Sequence, residues 1–265
     1  VRAYRAYLQR ASNDVDALRE YTEILWARLE TSPESIGETV RAFRRLNRLS
    51  SDDLQTMRRL TQLHLAVHDF VSAEELASRW SQTEPDEIEA VLLLAQARHG
   101  LGKNAETAQL LADAATAKPN KARFYPPLIE LLTIHLNRPD EAKRWVDLGL
   151  QSNPDAYEVR LADSAYFDRR SDRAAAEEHL NHALRLAPDA PRVLIAAAAF
   201  YVRNDRLDLG ETYLARAKTA APLDRSMLSA WTEFALKTGR TSELEHVADA
   251  LATQASEQDP EFFVQ

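Results

Sequence analysis

The chain has 265 residues, 45% hydrophobic and 28% charged, with six glycines, eleven prolines, no cysteine and a net charge of −8. The lack of cysteine excludes disulfides, thiolate metal sites and cysteine nucleophiles, and the acidic balance argues against nucleic acid as a partner. Six glycines are about a third of the usual share, too few for the many tight turns of a Rossmann, barrel or sandwich fold.

No apolar run reaches the roughly 18 residues of a membrane-spanning helix. The chain starts at Val1 with no signal-peptide pattern, so it reads as a piece of a longer protein, and its compartment stays open between cytoplasm and periplasm. The alanine- and arginine-rich composition points to a GC-rich bacterial genome.

Taken in chain order, apolar periodicity predicts about fourteen helices and no strands. Residues 1–11 read as the tail of a preceding helix. Helix pairs follow at about 15–49, 52–84, 87–118, 124–152, 156–187, 190–221 and 225–256, and 260–265 read as the start of another helix. In the first pair the internal turn is Ser32-Pro33-Glu34, with Ser32 as N-cap and Pro33 at the first helical position. Later turns carry Gly102-Lys103-Asn104, Asn137-Arg138-Pro139, Ser171-Asp172, Asn204-Asp205 and Gly239-Arg240. Between pairs stand Pro85, Pro119, Pro154, Pro188 and Pro222, at intervals of 34, 35, 34 and 34 residues. A fixed period of this length is the mark of stacked structural repeats.

Small residues recur with the same period. Ala95, Ser164 and Ala198 fall in first helices, Ala73, Ala142, Ala176 and Gly210 early in second helices, and Ala114, Gly149, Ala183 and Ala217 late in them. Helices approach to 8–10 Å only where something small faces the neighbour. With the aromatics Phe167 and Tyr201, this pattern resembles the tetratricopeptide repeat (TPR), most strongly from Leu54 to Thr219. Glu130, Trp80, Leu244 and Leu251 depart from it at small-residue places. The resemblance implies an all-α, right-handed superhelical solenoid of about seven antiparallel helix pairs, running as one array over 1–265, with first helices lining a concave groove.

Under that geometry the groove-facing residues are Leu92, Gln96, Phe124, Leu128, Leu131, Leu161, Ala165, Ile195, Ala199 and Val202. Chaperone-binding members of the family carry a lysine–asparagine clamp, whose places here hold Leu92, Leu161, Ile195, Gln96, Ala165 and Ala199. Sugar-transferase members carry an asparagine ladder, whose places hold Arg59, Leu93, Leu128, Ala162 and Ala196. Neither device is present.

Catalytic signatures are lacking. His64 with His68, and His179 with His182, have ligand spacing on a helix, but no motif completes a zinc site and they read as partly exposed residues near helix ends. Glu74-Glu75 and Glu177-Glu178 read as exposed helix starts paired with the helix dipole. No phosphate loop or nucleophile elbow occurs, so no enzyme, cofactor or metal is implied. Arg41, Arg44, Arg45 and Arg48 share one helix face; they are either a dock for an acidic surface or a solvated face balanced by Glu38, Asp52 and Asp53. The expectation is a non-enzymatic scaffold that binds a protein or peptide in an apolar groove. The alternative is a structural spacer that self-associates through that groove as a homo-oligomer.

Overall fold

The structure, a computed structural model, describes residues 1–29, 32–222, 224–240 and 244. Among them there are fourteen α-helices and no strand. They are α1 (Arg2–Arg10), α2 (Val15–Arg28), α3 (Ile36–Leu49), α4 (Leu54–Ala66), α5 (Phe70–Thr83), α6 (Ile88–Gly100) and α7 (Asn104–Ala117). After these come α8 (Tyr125–Glu130), α9 (Pro139–Ser152), α10 (Tyr157–Arg169), α11 (Arg173–Leu186), α12 (Pro191–Arg203), α13 (Leu207–Ala220) and α14 (Arg225–Thr238). The second helix expected in 225–256, with Leu251, lies outside the described residues. So does the stretch 260–265. At the first internal turn, Pro33–Ser35 form a 3₁₀ turn and the α-helix starts only at Ile36.

The chain forms two compact units, one over Val1–Leu110 and one beginning at Leu111, so the division falls within α7. In the first unit, α1 to α3 close over Leu8, Leu18, Tyr21, Leu25, Ala42 and Leu46. A second cluster joins Val40 and Phe43 of α3 to Met57, Leu60 and Leu63 of α4 and Leu76 of α5. In the second unit, Ala176 and Leu180 of α11 meet Ala197, Phe200 and Tyr201 of α12, and Ala198 and Val202 meet Leu214, Ala230 and Phe234. Gly210 shows how close the helices come: a Cβ there would lie 2.7 Å from a methyl of Val202. Ala73, Ala142, Ala176, Ala183 and Ala217 are all fully buried, while Ala114 is half-exposed.

Local chemistry sets the helix ends. The carboxylates of Asp14, Asp53, Asp69, Asp172 and Asp224 accept from backbone N–H groups of α2, α4, α5, α11 and α14. Each such cap is worth about 1 kcal/mol. At the turns between helices stand His68, Gly102, Asn137, Ser171, Asp205 and Gly239, all with φ between 50° and 75°. They repeat at 34, 35, 34, 34 and 34 residues, so each of these six turns reverses through one left-handed residue. Only glycine occupies that conformation without steric cost. Ser171→Gly is expected to stabilise the protein by about 0.5–1 kcal/mol, read as a raised urea midpoint; the gain stays small because glycine also frees the unfolded chain.

The single 35-residue interval has a structural seat. In five of these six turns the residue after the left-handed one donates its N–H five residues back: Asp69 to His64, Lys103 to Arg98, Asp172 to Phe167, Arg206 to Tyr201 and Arg240 to Ala235. At the remaining one Arg138 donates six back, to Leu132 at 2.7 Å. The extra residue is absorbed by a π-helical turn, Leu131–His135, which extends α8. Such turns are single-residue insertions into an α-helix.

Candidate functional site

The second unit carries an open cleft of about 280 Å³ between α8 with its π turn, α10 and the start of α12. Pro126, Ile129, Glu130, Thr133 and Ile134 line one wall, spaced so that they share one helix face. The other wall is the α10 face of Glu158, Leu161, Ala162, Ala165, Tyr166 and Arg169, and Arg192 closes the α12 end. Ile129 and Tyr166 are buried in the floor. Ile134 stays 40% exposed at the rim. Tyr166 is held from below, its hydroxyl donating to the Pro139 carbonyl at 3.3 Å. Among the described residues, no side-chain hydrogen bond or ion pair engages Glu130, Arg169 or Arg192.

Two of the ten expected groove residues, Leu161 and Ala165, line this cleft. Phe124, Leu128, Leu131, Ile195 and Val202 are buried in the interior instead and present no surface to a ligand. Two causes account for Leu128, Leu131 and Ile195. Counting back 34 residues from Ala165 lands on Leu131, but positions before the π turn lie 35 back, and the true equivalents of Leu161 and Ala165 are Pro126 and Glu130. The same slip made Glu130 seem to fill a small-residue place; Ile129, 2% exposed, fills it. Ile195 is covered because α14 brings Met227 and Leu228 against it. Ala199 is half-exposed and outside the cleft. In the first unit Leu92 is half-buried and Gln96 exposed on α6.

Other polar groups sort into structural roles. Glu74 takes Lys103 at 2.7 Å and Arg98 at 3.2 Å. Three repeats later, Glu177 takes Arg206 at 2.5 Å and the Tyr201 hydroxyl at 3.2 Å. These glutamates staple each second helix to the next repeat and do not serve as helix-dipole partners. His64 is buried, not partly exposed. It lies 2.9 Å from Asp69, which also holds Arg44 at 2.8 Å. Burial, then the nearby Arg44 charge, lowers the pKa of His64. Within the arginine face, Arg44 is therefore committed to Asp69, and Arg45 donates to the carbonyls of Leu8 and Ser12. Arg41 and Arg48 remain exposed. No group of three or more His, Asp or Glu among the described residues could hold a metal, and no described helix is long and apolar enough to cross a membrane.

One buried group escaped the sequence reading. Asp163 of α10 is fully buried, and neither carboxylate oxygen has a hydrogen-bond partner. The equivalent places in α4, α6, α8 and α12 hold Leu60, Leu94, Leu128 and Ala197, all buried, and the one in α14 holds Trp231, half-buried. The nearest cationic candidate is His179 of α11, its Nδ1 3.8 Å from Oδ2. Burial pushes the carboxyl up to about 8 and lowers His179.

Solved structures place this helical arrangement. A thermophilic TPR protein of Thermus thermophilus superposes with a TM-score of 0.59 at 22% identity, over 69% of this chain and 99% of that one. A tetratricopeptide repeat protein of Parabacteroides merdae gives 0.60 at 12% identity, over 92% and 94%. The fold is that of the tetratricopeptide repeat. PilW, a type IV pilus biogenesis factor with the same TPR fold, gives 0.55 at 19% identity over 80% and 96%. No protein-family model matches the chain, and no curated protein matches it. At these identities the likeness is one of fold.

Proposed function

We propose that this TPR chain is a non-enzymatic protein-interaction scaffold that seats a segment of a partner protein in the cleft between α8, α10 and α12. One observation carries the reading: an open apolar floor on first-helix faces is rimmed by Glu130, Arg169 and Arg192, charges with no ion-pair partner among the described residues. An exposed apolar patch rimmed by polar groups is the usual anatomy of a protein-binding surface. The floor reads aliphatic side chains, and the rim sets the register of the partner's charges. The TPR proteins it resembles in fold, PilW among them, are consistent with that role.

The test is capture of a native partner by the purified chain, compared with Ala165→Arg. Ala165 is exposed, so the variant leaves stability within about 0.5 kcal/mol while filling the cleft. Capture is expected to fall at least about tenfold, and wild-type affinity to survive high salt because exposed charges are screened beyond about 8 Å. Intact capture by Ala165→Arg together with loss in an Arg41→Glu, Arg48→Glu double variant moves the site to the arginine face. A concentration-independent dimer abolished by Ala165→Arg favours the spacer instead.

A further inference from the structure

We infer that Asp163 controls this cleft by its protonation state: the cleft is set while the buried carboxyl carries its proton, and is remodelled when the proton leaves. The inference rests on the reading of the cleft as a docking site and adds a regulator to it. α10 carries both parts, with Leu161, Ala162, Ala165 and Tyr166 on the cleft wall and Asp163 fully buried among them in sequence. Both carboxyl oxygens lack partners, as does the buried Nε of Arg160 one turn earlier.

The protonated acid is neutral and tolerable in a place built for Leu or Ala. The carboxylate is not, because an isolated charge in an apolar interior must be paired, hydrated or neutralised. The charged groups acting on it are Lys143 and Asp147 of α9 and Arg160 of α10. α11 brings His179, with Glu178 and His182 beside it. The interior residues of α8 with its π turn and of α12, namely Leu128, Leu132, Val193 and Ala197, are uncharged. Lys143 and Asp147 already pair with each other at 2.5 Å, and Arg160 donates outward to the Pro154 carbonyl at 3.3 Å. Neither Lys143 nor Arg160 is paired with the carboxyl, and His179, 3.8 Å away, is held toward its neutral form by burial. Hydrating it requires α10 to shift against α9 and α11, and Leu161 and Ala165 move with the helix. With the carboxyl near 8, the change falls in mildly alkaline solution.

The experiment follows two signals on the full chain from pH 6.5 to 9, with no partner present. One is the methyl resonance of Leu161, assigned with Leu161→Ile; the other is amide exchange protection of α10, corrected for intrinsic rates. In wild type the methyl is expected to titrate and protection to fall about tenfold or more, whereas both stay flat in Asp163→Asn. Asp163→Ala, which copies Ala197, serves if the Asn variant does not fold. An unchanged profile in the Asp163 variants overturns the inference. So does a profile that persists in them but vanishes in His179→Ala, or a Leu161 methyl that stays still while protection falls. Failure of the docking reading shows separately, as intact partner capture by Ala165→Arg.

Discussion

Leu128→Asp is expected to destabilise the folded protein strongly, although the sequence alone placed Leu128 on the groove surface. Leu128 is 0% exposed and belongs to a set of fully buried large side chains with Phe124, Tyr125 and Leu132. Removing a buried leucine side chain costs about 2–5 kcal/mol. The replacement adds an unpaired carboxylate to the same space, where it must stay protonated or draw in water. The sum exceeds about 4 kcal/mol, against a total of about 5–15 kcal/mol for a typical domain. Urea titration followed by circular dichroism is expected to show a midpoint lowered by more than about 1 M, or a lost native baseline. A wild-type midpoint would put Leu128 on the surface and return it to the groove. Run beside it, Ala165→Arg separates a surface effect on binding from a structural one.

Much of the architecture was legible because TPR stacking imposes a period on features that sequence displays openly. Prolines mark the ends of pairs, small residues mark close approaches, and Asp172 before α11 marks a helix start that its side chain does cap. The cleft was legible only in part. Leu161 and Ala165 were found where the repeat is regular, whereas Leu128 and Leu131 were misplaced next to the one irregular turn. The irregularity was visible as the 35 residues from Pro119 to Pro154. Its position was not, because only the backbone bond from Arg138 to Leu132 locates the insertion. The staples of Glu74 and Glu177 read as solvated charges because their partners come from the following repeat. Asp163 was missed for a related reason. A lone aspartate in a helix of mixed composition looks exposed until it is aligned with Leu60, Leu94 and Ala197.

Asp163→Ala is expected to make the protein more stable, and more so as pH rises. Asp163 is unpartnered and its carboxyl is raised from 3.8 to about 8. A group with a raised folded-state pKa contributes fully below its unfolded value and loses that contribution as pH climbs to the folded value. At about 1.36 kcal/mol per pKa unit, the loss between pH 4 and 8 is on the order of 5 kcal/mol. His179 acts in the opposite sense: burial lowers its pKa from 6.5, so its penalty appears only as pH falls below that value. The window from pH 6.5 to 8 therefore isolates the aspartate. Alanine removes the desolvated acid at the cost of a small void, and exchanging a buried ionisable group for an apolar one commonly gains about 1–4 kcal/mol. Urea midpoints should consequently diverge, with wild type falling from pH 6.5 to 8 and Asp163→Ala holding level and higher. Parallel curves would mean that the carboxylate finds hydration or a cation in the folded protein. Lys143 and Arg160 are the candidates to examine first, by repeating the titration in Lys143→Ala and Arg160→Ala.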